Sequence, residues 1–187
     1  QILANVDIDT QEDDTAMKNE GDVLVVILDE NENSGSNGTS TENAAFSTEV
    51  QTTASGTKYS TIAIINIPKI GVNYPVLSEA SDELLKIAPN KFWGPNPNEV
   101  GNFCIVAHNY RNSKFFSKVP TLVNGDIIEL TDLSGRTLKY SVYDKYTVDP
   151  EDVACTSQLT GGKKEVTLIT CTNDSKQRVI VKATEVL

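Results

Sequence analysis

Residues 165–183 read EVTLITCTNDSKQRVIVKA, two runs rich in β-branched residues separated by one cluster of turn formers. Such a pattern is an antiparallel hairpin, and it constrains the remainder of the chain more than any other stretch. If Thr172 pairs with Gln177 across a four-residue loop, Cys171 lies directly opposite Arg178 with Cβ atoms roughly 5 Å apart. Pleat alternation then puts Val166, Leu168 and Thr170 on one face and Thr167, Ile169 and Cys171 on the other, so Thr170 is a structural neighbour of Cys171. A guanidinium facing a thiol lowers its pKa and donates hydrogen bonds to a developing oxyanion. The hairpin alone describes equally well an inert buried thiol beside a strand-end arginine, since free cysteine is among the most buried residue types.

From residue 60 onward short apolar runs alternate with turn signals, which predicts an all-β barrel or sandwich. Strands are expected at 61–67, 72–77, 102–107, 126–131, 136–148, 165–171 and 178–186. Residues 81–88 (SDELLKIA) begin with a capping serine, place acids in the first turn and stop at Pro89, which predicts a short helix. Residues 115–119 suggest a further helical turn ended by Pro120, and Asn124-Gly125 and Ser134-Gly135 are turn signals. His108, the one histidine of the chain, follows the apolar run 103–107 where a strand should give way to a loop. Trp93, the one tryptophan, reads as a packing aromatic.

The charge is unevenly placed. Residues 1–58 hold 12 acidic and 2 basic side chains, whereas residues 59–187 hold 14 of each. No basic patch is present of the kind that nucleic acid or an anionic membrane surface requires. The acidic stretch 7–14 and the polar, low-complexity stretch 31–43 cannot bury a core, so residues 1–58 read as a tether or stalk and 59–187 as the folded domain. Between them the apolar run 23–28 has six residues, far short of the roughly 20 that span a bilayer. The chain opens on Gln1, which suggests a processed form.

Three cysteines, at 104, 155 and 171, show no CxxC spacing, and with one histidine they make a zinc site improbable. No metal or cofactor is expected. An odd count leaves at least one free thiol even if Cys104 and Cys155 pair.

Ala107-His108-Asn109-Tyr110, Thr167-Leu168-Ile169-Thr170-Cys171 and Arg178 together resemble the sortase family, the cysteine transpeptidases of Gram-positive cell surfaces. The resemblance extends from about residue 60 to 186. It includes the opening pair 64–70 and 72–77 and Gly101-Asn102 ahead of the histidine strand. It implies a closed eight-stranded β-barrel with one or two short helices. Carried over position by position, Cys171 is similar to the nucleophile, His108 to its acid/base partner and Arg178 to the substrate-orienting arginine. Cleavage of an LPxTG-like sorting signal through a thioacyl enzyme is implied, with transfer to an amine of the cell wall. The implied partners are sorting-signal-bearing surface proteins and a peptidoglycan-precursor or pilin amine. The implied location is the outer face of a Gram-positive membrane, held by an N-terminal anchor that this chain does not show. The His-Asn-Tyr motif is nearest class B and class D types, without deciding between them. The Asp-Pro-aromatic lid motif of pilus-building members does not occur before residue 60. The resemblance brings no Cys104–Cys155 bridge, and no acidic cluster matches the calcium site of some members. Two other readings stay open: a non-catalytic surface β-domain, and an L,D-transpeptidase-like enzyme, whose Ser-His-Gly-Cys signature is absent.

Overall fold

A computed structural model describes residues 48–187. The expected features at 7–14, 23–28 and 31–43 therefore lie outside the described residues. A two-stranded ribbon, β1 (Gln51–Thr52) and β2 (Lys58–Tyr59), precedes the main sheet. The hydroxyls of Thr53 and Ser55 within it donate to the Glu83 carboxylate, whose pKa they lower; burial opposes them in part.

Eight further strands follow: β3 (Thr61–Ile67), β4 (Val72–Leu77), β5 (Asn90–Trp93), β6 (Gly101–Val106), β7 (Ile127–Asp132), β8 (Thr137–Val148), β9 (Lys164–Cys171) and β10 (Arg178–Glu185). They close into a barrel in the order β10-β8-β7-β3-β4-β5-β6-β9, with β9 hydrogen-bonded back to β10. Pairing is antiparallel throughout except for β4–β5 and β6–β9. At β4–β5 the ladder is a single pair, Leu77 opposite Asn90, supported by Leu77 N–H donating to Pro89 O at 2.9 Å.

Seven of the eight barrel strands fall where the sequence predicts them, within about a residue at each end. The eighth, β5, is too short and too closely flanked by Pro89 and by Gly94-Pro95 to show a period of two. It exists because it pairs with β6, placing Asn90 opposite Val106 and Lys91 opposite Ile105. The chain then leaves β5 through Gly94 at φ +102°, where an added Cβ would lie 2.0 Å from the Asn102 carbonyl oxygen. Only glycine fits that approach.

The predicted 81–88 helix is shorter, α1 (Asp82–Leu85), with Ser81 Oγ accepting from Leu84 N–H at 3.2 Å as its N-cap. The turn of helix expected at 115–119 does not form. Phe115 adopts φ +47° and pairs with Asn109 in an isolated bridge, and its N–H donates to the Tyr74 hydroxyl at 3.2 Å. The 3-10 turn lies later, at Val119–Thr121, and contains Pro120.

Alternation along the central strands explains their apolar runs. Val166 and Leu168 of β9, Phe103 and Ile105 of β6, and Val179 and Val181 of β10 point into the barrel with Ile65, Ile128 and Leu130. The opposite faces of the same strands present Cys104, Val106, Ile169, Cys171 and Ile180, which pack with Phe92 of β5, Leu85 of α1 and Cys155 of the β8–β9 loop. Strands covered on both sides lose the polar alternation of a half-solvated sheet, and β6 is buried along its whole length.

Candidate active site

Two registers bring the three residues singled out in the sequence into one row. In the antiparallel β9–β10 pair Arg178 is the direct partner of Cys171, and Thr172 N–H donates to Gln177 O at 2.9 Å across the turn, as the hairpin pattern predicts. In the parallel β6–β9 pair Gly101 faces Lys164 and Val106 faces Ile169, and Ala107 N–H continues the ladder to Ile169 O at 3.1 Å. Continued two residues past that last pair, the same register brings His108, just beyond the end of β6, level with Cys171. The row therefore runs from the start of β10 and the end of β9 to the segment just past β6, at one end of the barrel, on the outer face.

All three residues are buried: Cys171 is 0% exposed, His108 4% and Arg178 8%. The His108 imidazole stacks on the Tyr110 ring, with centroids 4.9 Å apart, and Tyr110 packs in turn on Phe115. His108 O accepts from Phe116 N–H at 3.1 Å, so the backbone after β6 folds back on itself and fixes the ring from below. Thr170 turns away from the row and donates its hydroxyl to Ala107 O at 2.8 Å, the structural role its side of the pleat predicts.

The Arg178 guanidinium makes one long bond, Nη1 to Gln177 O at 3.4 Å, and its Nε is buried with no hydrogen-bond partner among the described residues. A buried donor left unsatisfied is costly, on the order of 1–3 kcal/mol. A donor kept in that state beside a thiol can receive negative charge that develops only during a reaction.

Asn109 entered the sequence reading only as part of the His-Asn-Tyr motif, with no role of its own. It is fully buried, and its Nδ2 donates to Cys171 O at 2.9 Å and to Asn173 Oδ1 at 3.0 Å. Its Oδ1 accepts from Arg111 N–H at 3.0 Å, and Arg111 Nη1 reaches Asn173 O at 3.0 Å. A second buried amide, Asn102, anchors the β8–β9 loop. Its Nδ2 donates to Cys155 O and Ser157 O at 2.9 and 3.1 Å, its Oδ1 accepts from the Thr167 hydroxyl at 2.7 Å, and its backbone exchanges two 2.8 Å bonds with the Gln158 amide. Nothing in the local sequence separates either asparagine from a loop asparagine.

The other two thiols lie on the same outer face and are chemically different. Burial pushes Cys104 up to about 12, helped by the nearby Cys155, and burial likewise pushes Cys155 up to about 11. Both stay protonated near neutrality, and a protonated thiol is a poor nucleophile. Among the described residues none of the three cysteines is in a disulfide. Among the described residues no group of three or more His, Cys, Asp or Glu side chains is arranged to hold a metal ion.

Trp93 is not in a core. It stands 48% exposed at the lip of a cleft of about 680 Å³ that also takes in Ala80, Lys91, Phe92 and Gln158. Phe92 and Ala80 also pack in the apolar cluster that contains Cys171, while Cys171, His108 and Arg178 themselves do not line the cleft.

A closed eight-stranded barrel that sets a cysteine opposite an arginine at one strand end, with a histidine just past the neighbouring strand, groups the residue types a cysteine acyl-transfer site would use. The sortase domain model matches residues 65–186, so the chain belongs to the sortase family and is a cysteine transpeptidase. Among solved structures, a sortase D5 transpeptidase from Clostridium perfringens is 32% identical with a TM-score of 0.63, covering 68% of this chain and 80% of that one. Sortase C-1 from Actinomyces oris is 27% identical with a TM-score of 0.62, covering 68% and 74%. Sortase C from Clostridium perfringens, solved with the C-terminal cell wall sorting motif, is 25% identical with a TM-score of 0.61, covering 68% and 71%. No curated protein matches the chain. Neither the non-catalytic domain nor the L,D-transpeptidase reading is favoured by these likenesses.

Proposed function

We propose that Cys171, His108 and Arg178 carry the transpeptidation and that the substrate is an LPxTG-like sorting signal. The observation that carries this reading is the pairing of Arg178 with Cys171 on β9–β10, next to a β6–β9 register that, continued two residues past Val106, brings His108 level with Cys171. The Cys171 thiolate attacks the carbonyl carbon of the scissile amide, and the carbonyl electrons move to oxygen. The Arg178 guanidinium, with its uncommitted Nε, donates to that oxyanion. Collapse breaks the C–N bond, and the imidazolium of His108 gives its proton to the leaving amine. The product is a Cys171 thioester. An incoming amine attacks it, neutral His108 takes the amine proton, and the thiolate leaves as the new amide forms.

The acceptor is an amine of a peptidoglycan precursor or of a pilin, and the acyl donor is a surface protein bearing the signal. The solved relative with a bound sorting motif supports this substrate class. Such substrates place the enzyme on the outer face of a Gram-positive membrane, with residues 1–58 as the stalk of the 59–187 catalytic domain. No helix among the described residues is long and apolar enough to cross a membrane.

Incubating the protein with a sorting-signal peptide library and a glycine-type amine, followed by mass spectrometry, tests the reading. The expected product is a peptide cleaved within the motif and joined to the amine. Hydrolysis or transfer that persists at full rate in Cys171→Ala contradicts it.

A further inference from the structure

We propose that Asn109 is a positioning residue for the reaction, a side-chain rung that sets the separation between His108 and Cys171. The inference rests on the roles assigned above to those two residues. A parallel ladder advances two residues at a time. After Ala107 N–H bonds Ile169 O, the next backbone rung would run from residue 109 N–H to Cys171 O. The Asn109 carboxamide makes that bond instead, from Nδ2 at 2.9 Å. The rung before it also involves a side chain, Thr170 Oγ1 bonding Ala107 O at 2.8 Å. A side-chain rung spans a longer path than a backbone rung, so the length of the asparagine side chain bears on how far apart the two chain segments stand where the imidazole and the thiol sit.

The second arm of the amide sets the other side of the row. Its bond to Asn173 Oδ1 fastens the turn between Cys171 and Arg178 to the histidine loop, and Arg111 adds a parallel tie through Asn173 O. Both amide protons and the oxygen are thus committed within a fully buried site. A satisfied buried network of this kind holds one geometry, and loss of one member leaves the others unpaired in a low-dielectric interior. Asn109 touches no reacting atom in this scheme. It acts through the main chain of Cys171 and its own neighbour His108.

The test uses Asn109→Ala and Asn109→Asp in the whole chain, with rates expressed per active site counted by an electrophilic sorting-signal peptide. For Asn109→Ala the expected result is a fall in kcat of about 10- to 100-fold, the scale of a misplacement near 1 Å, with KM within about threefold. The pH–rate profile should also shift, because the His108–Cys171 separation governs their mutual titration. Asn109→Asp keeps the acceptor for Arg111 N–H and loses both donors as a carboxylate. It should show the same fall near neutrality, with partial recovery as the pH approaches the usual carboxylate range and the acid regains a donor. Variants that keep wild-type kcat per titrated site and a wild-type pH profile, losing only thermal stability, overturn the proposal. The assignment of the site fails separately, by Cys171→Ala retaining turnover.

Discussion

Cys171 and Cys104 share one outer apolar cluster and the same complete burial, yet they differ in what their strands deliver beside them. Cys104 lies mid-strand in β6, among apolar neighbours and close to Cys155, and its proton is held tightly. Cys171 lies at the last position of β9, where β6 has ended at Val106, two residues before His108, and β10 has just begun with Arg178. Mid-strand positions are surrounded by other strands and supply packing. Strand ends are where loops and turns bring in polar groups, and that is where the proposed nucleophile sits.

The largest expected effect breaks the comparison outright. Cys171→Ala should abolish cleavage and transfer of a sorting-signal peptide, whereas Cys104→Ser and Cys155→Ser should leave kcat within a few-fold, as followed by product release. Substantial loss in either serine variant, at unchanged folded fraction, would make the mid-face thiols part of the chemistry. His108→Ala should cost about 10² to 10⁴ in turnover, the range for a positioned proton donor. Arg178→Lys keeps the charge and loses the planar donor fork, so a loss of about 10² in kcat/KM is expected. Near wild-type activity in that variant would reduce Arg178 to a general electrostatic neighbour.

Two smaller effects sharpen the contrast. The Cys104 thiol is raised from its ordinary value of 9.0 to about 12 in the fold. Over that interval the unfolded chain has lost a proton that the folded protein retains, so stability falls as pH rises from 9 to about 12. Cys104→Ala should remove part of this alkaline loss in chemical denaturation followed across that range. An unchanged alkaline slope would show that Cys104 does not contribute. Deleting residues 1–58 should leave peptide cleavage within about tenfold, under ~1.4 kcal/mol of transition-state free energy. Deletion of 1–47 alone preserves the β1–β2 ribbon and its bonds to Glu83, so a difference between the two truncations isolates the ribbon.

Much of the fold was legible in sequence where the determining interactions are local. The β9–β10 register follows from a turn of known length and a period of two, and it placed Cys171 opposite Arg178 before any tertiary contact was considered. The adjacency of His108 and Cys171 was not legible in that way, because it depends on a parallel pairing between segments 63 residues apart. Only the likeness of motifs to a family joined them. β5 left no periodic trace in four residues between Pro89 and Gly94. Phe115 was misread as helical because its neighbours allow a helix, while the Tyr74 hydroxyl and the Tyr110 ring hold it in a left-handed conformation. Asn109 and Asn102 stood within the motifs of the family likeness, but their bonding roles were not legible, for a different reason. A buried amide announces itself through the carbonyls it satisfies, and those carbonyls belong to distant parts of the chain.

The most direct test of the account is to locate the acylated sulfur. A sorting-signal peptide ending in an electrophile is incubated with the whole protein, and the digest is read by mass spectrometry. The label should fall on the tryptic peptide containing Cys171, at one equivalent per chain, and it should be strongly reduced in His108→Ala. Label on Cys104 or Cys155, or undiminished labelling without His108, contradicts the account.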